Sequence, residues 1–350
     1  MANMGDIQIG GRTIGEGRRP LVIAEVAQAH DGSLGTAHAF IDAIADAGAD
    51  AVKFQTHIAA AESTASEPWR VKFSQQDATR FEYWKRMEFT PSQWAGLKEH
   101  ADKRGLIFLS SAFSPEAFEL LQRIGVPAWK VASGEVTNLP LLKLMLATKL
   151  PVLLSSGMST TEDLDRAAEA CRSAQVPLGV FQCTTLYPCP PEKVGLNLLA
   201  TFRERFACPV GLSDHSGKIY SCLAAAALGA SMLELHVTFS RQMFGPDVPA
   251  SVTFPELKQL TEGVADIHRM RAATVEKNVI AAEMAPMKGI FQKSIVARRS
   301  LKAGIILTES ELALKKTGGG IPPERLASVI GRKLTRDVQA DHALADSDLT

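Results

Sequence analysis

The chain has 350 residues, of which 46% are apolar, and its 38 Lys plus Arg balance 38 Asp plus Glu. Zero net charge argues against a nucleic-acid or anionic-membrane partner, which selects a basic surplus, and the apolar share argues against disorder as the main state. The five cysteines (Cys171, Cys183, Cys189, Cys208 and Cys222) are odd in number and form no C-x-x-C pair, which disfavours a disulfide framework and fits a reducing, cytoplasmic setting.

At the amino end, residues 1–10 show no basic stretch followed by an apolar one, so no signal peptide is expected. No segment approaches the roughly 18 uninterrupted apolar residues of a membrane span. The Ala-rich run Cys222 to Ala230 is too short and reads as a buried helix.

From Leu21 onward the chain alternates short apolar runs with helical patterns, eight times. The runs are Leu21–Ala27, Ala51–Gln55, Leu106–Ser110, Ala128–Ser133, Val152–Ser155, Leu178–Cys183, Val210–Ser213 and Met232–Thr238. Short unbroken apolar runs suit strands buried on both faces. The helical patterns are Thr36–Ala47, stopped by Gly48; Ser92–Arg104, opened by Thr90-Pro91; a helix from Ser114-Pro115 to near Gly125; one from Thr160-Thr161 to Ala174; then Ile219–Leu228 and Pro255–Met270. Eight such units in about 250 residues predict a closed (β/α)₈ barrel. An open doubly wound sheet is the alternative, but no G-x-G-x-x-G follows the first strand. The connection His57 to Phe89 is long and carries Trp69, Tyr83 and Trp84. It reads either as functional or as a surface excursion packed on its own aromatics.

After Met270 the pattern changes. Residues 272–289 read as a linker with a helical piece. A small unit follows, with a strand at Ser294–Ala297, a turn at Leu301–Gly304, a helical turn at Thr308–Glu311 and the turn run Thr317–Gly320. Below about 80 residues a core is marginal, so this unit is expected to dock on a barrel, its own or a partner's.

In a barrel of this kind chemistry sits at the carboxy-terminal strand ends. In order, these ends carry Glu25; Lys53 and Gln55; Ser110 and Ser111; Lys130, Ser133 and Glu135; Ser155 and Ser156; Gln182, Thr184 and Thr185; Ser213, Asp214 and His215; and Glu234 and His236. A lysine in a buried strand costs several kcal/mol unless its charge meets a partner. For Lys53 and Lys130 that partner is an anionic substrate or the acids Glu25 and Glu135. His215 and His236 end adjacent strands, about 4.8 Å apart, and both imidazoles can reach one divalent ion. His30, His38, His57, His100, His268 and His342 lack that context. The serines and threonines suit an anion such as phosphate, although each also suits a helix cap.

Several segments resemble the sialic acid (N-acetylneuraminate) synthase family: Ile23-Ala24-Glu25, Val52-Lys53-Phe54-Gln55-Thr56, Phe108 to Ser114, Trp129 to Glu135, Leu154 to Met158, Gln182 to Pro188 and Gly211 to Ser216. Lys315 to Ile321 and Ile330-Gly331-Arg332 are similar to its antifreeze-like (SAF) domain. The resemblance implies a barrel over 1–275, a linker over 276–292 and a SAF domain with a β-clip fold over 293–350. It implies condensation of phosphoenolpyruvate with N-acetylmannosamine or a related amino sugar, with a divalent metal (Mn²⁺, or Mg²⁺ or Co²⁺) on His215 and His236, in a domain-swapped homodimer. Lys53, Ser111 and Lys130 would hold the carboxylate of phosphoenolpyruvate, and Ser133, Ser155 and Ser213 its phosphate. Gln55, Tyr187 and Asp247 would contact the sugar, and Glu25 and Glu135 would move protons. Three positions depart from the family's pattern: Ala29 precedes His30 where Asn is common, Thr185 stands for Asn, and Lys316 stands for an Arg of the sugar site. Lysine lacks the planar fork of arginine. Thr185 and Lys316 thus bear on phosphate and sugar contacts. A legionaminic-type substrate, a diacetamido-trideoxy hexose, is the alternative. A Schiff-base aldolase using Lys130 or Lys53, and a non-catalytic sugar-binding scaffold, are the remaining readings.

Overall fold

The computed structural model describes residues 5–350, which divide into two compact units, one ending at Ala272 and one spanning Ala273–Thr350. In the first, eight parallel strands form the barrel: β1 (Leu21–Ala27), β2 (Ala51–Thr56), β3 (Ile107–Ala112), β4 (Trp129–Val131), β5 (Val152–Ser155), β6 (Leu178–Cys183), β7 (Val210–Asp214) and β8 (Met232–Thr238). Each pairs with the next, and β8 also pairs with β1, Met232 opposite Leu21 and His236 opposite Glu25, which closes the cylinder. Strands predicted from apolar runs thus coincide with those observed to within a few residues at each end.

Side chains alternate along each strand, one set entering the barrel and the other facing the helices. Val22, Ala24 and Val26 of β1 join the large core shared with the helices. Leu21 and Ile23 instead join Ala51, Leu109, Ala128, Leu153, Phe181 and Met232 in a separate apolar cluster inside the cylinder. An amino-terminal hairpin, Ile7–Ile9 paired with Arg12–Ile14 across Gly10-Gly11, adds Ile7, Ile9 and Ile14 to this cluster. Both glycines have positive φ (56° and 79°), as a two-residue hairpin turn requires. The sequence reading did not find this hairpin.

Three helices start at hydroxyls read from the sequence, and a fourth starts two residues before the expected Thr36, at a cap the sequence reading had not named. Ser33 caps Leu34–Asp46 and Ser114 caps Pro115–Ile124. Thr90 and Thr160 form capping boxes with Gln93 and Asp163. Helices Leu139–Ala147 and Leu198–Phe206 fill the fourth and sixth units, which carried no helical assignment in the sequence. The long connection after β2 holds short helices Ala59–Glu62 and Arg80–Met87. Among the described residues no helix is long and apolar enough to cross a membrane.

In the second unit, helices Lys277–Glu283 and Ala285–Phe291 precede a strand Lys293–Ala297, which pairs antiparallel with Leu312–Lys316. Its core is built by Ile295, Leu301, Leu307, Leu312, Val329, Leu334 and Leu344, among others.

Candidate active site

Strand alternation decides what the barrel mouth contains. The inward set that starts apolar with Leu21 and Ile23 ends in Glu25. The sets of the other strands end in Lys53 and Gln55, Ser111, Lys130, Ser155, Cys183, Ser213, and Glu234 and His236. All of these line one cavity of about 370 Å³. The barrel is therefore dry at its amino end and polar at its carboxy end, by a change of residue type along one face of every strand.

The charges converge on Glu234. Its Oε1 lies 3.2 Å from Lys130 Nζ and 3.7 Å from Lys53 Nζ, and accepts from Ser213 Oγ at 3.1 Å. Lys53 also pairs with Glu25, its neighbour in the β1–β2 register. Lys130 Nζ donates to Ser155 Oγ at 2.5 Å. Burial pushes the Glu234 carboxyl up, but Lys130 and Lys53 outweigh that and hold it down, at about 2. Glu25 is pushed up to about 7, first by burial and then by repulsion from Glu234, against the pull of Lys53. Burial lowers both lysines. Glu234 and Glu25 more than restore Lys53, whereas Lys130, with Glu234 as its main counter-charge and Lys53 nearby, stays below the ordinary lysine value. The two lysines and the unpartnered Ser111 hydroxyl at the floor of the cavity suit an anionic ligand.

His215 and His236 face each other with ring centroids 5.3 Å apart. Burial lowers both to about 3, seconded by His236 at His215 and by Lys53 at His236, so both rings are neutral at pH 7. His215 Nδ1 donates to the Thr184 carbonyl at 2.9 Å, which leaves Nε2 as a free lone pair. Asp247 Oδ2 lies 3.9 Å from His236 Nδ1. Among the described residues no group of three or more His, Cys, Asp or Glu is arranged to hold an ion alone. Two neutral imidazoles are the donor type that a divalent ion takes, so His215 and His236 could hold one.

Around this centre the remaining residues read from the sequence take their places. Tyr187 stacks on His215 at 4.1 Å and meets His236 edge-on. Ser133 Oγ accepts from Gly157 N at 3.1 Å. Ser111 Oγ and Thr185 Oγ1 are buried without partners, so both are open to a ligand. Gln55 accepts from Gln28 at 2.7 Å. Glu135 lines the cavity but accepts from Asn138 at 2.7 Å and pairs with neither lysine. This corrects the reading of Glu135 as their counter-charge, because Glu234 holds that position. Lys316 lies in the second unit, exposed, with Nζ 5.1 Å from the Phe291 ring centre.

Three residues escaped the assignment. Glu234 was visible as a strand-end acid two residues before His236, a spacing that places both on the inward face. His57, set aside as lacking context, lines the cavity between Trp84 and Phe113, at 4.0 and 4.3 Å. Arg70 lies 4.4 Å over the Tyr187 ring and donates to Asp247 Oδ1 at 2.9 Å. Irregular loop sequence carries no periodicity that would have singled it out.

A model of the NeuB family matches residues 40–276, and a model of the SAF domain matches residues 292–350. The chain is 32% identical to the N,N'-diacetyllegionaminic acid synthase of Campylobacter jejuni, over 94% of this chain and 100% of that one. It is 30% identical to the N-acetylneuraminate-9-phosphate synthase of Homo sapiens, over 96% and 94%. The crystal structure of an N-acetylneuraminic acid synthetase from Leptospira borgpetersenii, in complex with citrate, matches with a TM-score of 0.71 at 27% identity, covering 82% of this chain and 97% of that one. With both of its units matched in order, the chain belongs to the NeuB family.

Proposed function

We propose that this protein is a nonulosonate synthase, which condenses phosphoenolpyruvate with the open-chain aldehyde of an N-acylated mannosamine-type sugar and releases phosphate by C–O cleavage. The observation that carries the proposal is the meeting of Lys53 and Lys130 at Glu234, beside unpartnered hydroxyls, in one cavity with two neutral imidazoles. The relatives named above are synthases of this product class.

The residues divide the work by charge. Lys53, Lys130 and Ser111 hold the carboxylate of phosphoenolpyruvate, and Ser133, Ser155 and Ser213 its phosphate, with Thr185 beside them. Gln55, Tyr187 and Asp247 orient the sugar. C3 of phosphoenolpyruvate attacks the aldehyde carbon, a C–C bond forms and the aldehyde oxygen takes a proton. Positive charge develops at C2 and is met by Glu135 and Glu25. Water adds at C2, its proton passing to a carboxylate, and the C2–O bond breaks to release phosphate. His215 and His236 would hold a divalent cation, with Mn²⁺ as first choice and Mg²⁺ or Co²⁺ behind it, and the chemistry it would supply is Lewis-acid polarisation of the aldehyde.

We also place the protein in the cytoplasm, supported by five free, buried cysteines. A homodimer is supported by the exposed apolar side chains of Val275, Val279, Met284, Met287, Ile290 and Phe291. Oxygen-18 at the bridging enol position of phosphoenolpyruvate tests the reaction. The label is expected in released phosphate, and label retained in the organic product contradicts C–O cleavage.

A Schiff-base aldolase is the second reading, favoured by the lowered Lys130 ammonium. Its hold by Glu234 and Ser155 speaks against it. Borohydride trapping with a keto acid decides: an adduct on Lys130 supports the aldolase, and its absence supports the synthase.

A further inference from the structure

Resting on the synthase reading, we propose that Glu62 and His57 form a positioning pair that holds the Gln55 amide in one orientation, with its Nε2 offered to an acceptor oxygen of the aldehyde substrate. The chain builds the pair locally. Gln55 lies at the end of β2, and two residues later the chain turns into the short helix Ala59–Glu62. Ala59 N donates to Glu88 Oε1 at 2.7 Å at the start of that helix, and its one turn returns Glu62 to His57. Both faces of the His57 ring are filled. Trp84 stacks on it at 4.0 Å and Phe113 at 4.3 Å, with ring planes inclined by 19° and 13°. Trp84 is fixed in turn by its Nε1, which donates to Glu67 Oε2 at 2.9 Å. The imidazole is thus confined to one plane, and its polar contacts are made by its two nitrogens at the ring edge.

Each of those nitrogens faces an oxygen. Nδ1 donates to Glu62 Oε1 at 2.5 Å, and Nε2 donates to Gln55 Oε1 at 3.3 Å. A ring that donates at both ends is an imidazolium, and the Glu62 carboxylate is its counter-ion. Gln28 Nε2 donates to the same Gln55 oxygen at 2.7 Å. An amide oxygen has two lone pairs, so these two donors occupy it fully. Gln55 Nε2 donates to no other group among the described residues, and it is the free end of a side chain that lines the cavity. A glutamine free to turn offers its oxygen and its nitrogen in alternation. The imidazolium removes that alternation, because the turned amide would set N–H against N–H. Lys53 and Lys130 pair with other acids, Glu25 and Glu234, so the Glu62–His57 pair acts on the amide and not on the anion site.

Steady-state phosphate release, with phosphoenolpyruvate and N-acetylmannosamine as the probe aldehyde, tests the pair. His57→Phe keeps a ring between Trp84 and Phe113 and removes both hydrogen bonds. It is expected to raise the KM for the aldehyde about 5-fold, the range of one lost hydrogen bond, with the KM for phosphoenolpyruvate unchanged. Glu62→Gln, which withdraws the counter-ion, is expected to act in the same direction. Gln55→Ala is expected to raise the same KM at least as far. Because the pair acts through Gln55, His57→Phe added to Gln55→Ala is expected to bring no further loss, to within about 2-fold. Losses that multiply, a KM for phosphoenolpyruvate that rises as far as that for the aldehyde, or parent kinetics in either single variant of the pair overturns the inference while leaving the synthase reading intact. If His57→Phe does not fold, Glu62→Gln carries the same comparison with Gln55→Ala. No aldehyde-dependent release by the parent enzyme removes both.

Discussion

At the scale of single residues the account turns on Glu234, which sits between two buried lysines at 3.2 and 3.7 Å. Removing one member of a buried ionic cluster leaves an uncompensated charge, a loss of about 3–5 kcal/mol. Glu234→Gln is therefore expected to lower unfolding free energy by that amount in urea titration. Phosphoenolpyruvate should raise the Tm of the variant more than that of the parent, since it returns negative charge to the lysines. An unchanged urea midpoint would contradict the central place given to Glu234. His215→Ala and His236→Ala are each expected to weaken Mn²⁺ binding in calorimetry and abolish turnover. Undiminished binding and activity in both variants would refute the metal assignment. The lysines, the imidazoles and Glu25 were legible in the sequence because a polar residue inside an apolar strand is conspicuous. Glu234 was equally visible, but reading acids by strand end rather than by facing parity left it without a role.

At the scale of elements, barrel strands were legible because burial on both faces writes an unbroken apolar run. Helices with an amphipathic stripe and a hydroxyl cap were also readable. Leu139–Ala147 was not, because its sequence is apolar nearly all round and carries little 3.6-residue contrast. The amino-terminal hairpin was missed because strands of three residues fall below any periodic signal. The loop after β5 is sensitive for a different reason. A Cβ on Gly157 would stand 2.3 Å from Thr185 Oγ1 and 2.6 Å from Ser133 Oγ. Gly157→Ala is expected to displace both hydroxyls and cut kcat/KM by about 100-fold, with far-UV circular dichroism unchanged. Full activity would exclude these hydroxyls from the anion site.

The second unit has its own electrostatic anchor. Asp348 is buried and accepts from Arg336 Nε at 2.6 Å, Ala345 N at 2.9 Å and His342 Nε2 at 3.0 Å. Burial raises its carboxyl, but these donors prevail and hold it down, at about 2. The folded value lies below the unfolded one of about 3.9, so the stabilisation is complete above that pH and is lost as pH falls through the folded value. Asp348→Asn is expected to cost about 1–3 kcal/mol at pH 7. The difference from the parent should shrink between pH 4 and pH 2 in denaturant titrations. A difference independent of pH would show that the charge is not what matters.

At the scale of the whole molecule, each unit has its own core, and residues 273–291 leave seven large apolar side chains exposed. A stable dimer at micromolar concentration in sedimentation velocity is the expected state, and a monomer would contradict it. The sugar's identity was not legible because it depends on loop residues with no repeating pattern, whereas the anion site is written in strand parity. The most direct test of the central claim is phosphate release from phosphoenolpyruvate, followed with and without an acylated hexosamine aldehyde and with and without EDTA. Release that requires the sugar, stops with EDTA and returns with Mn²⁺ is the predicted result. No release with any aldehyde, or release indifferent to both sugar and EDTA, would contradict it.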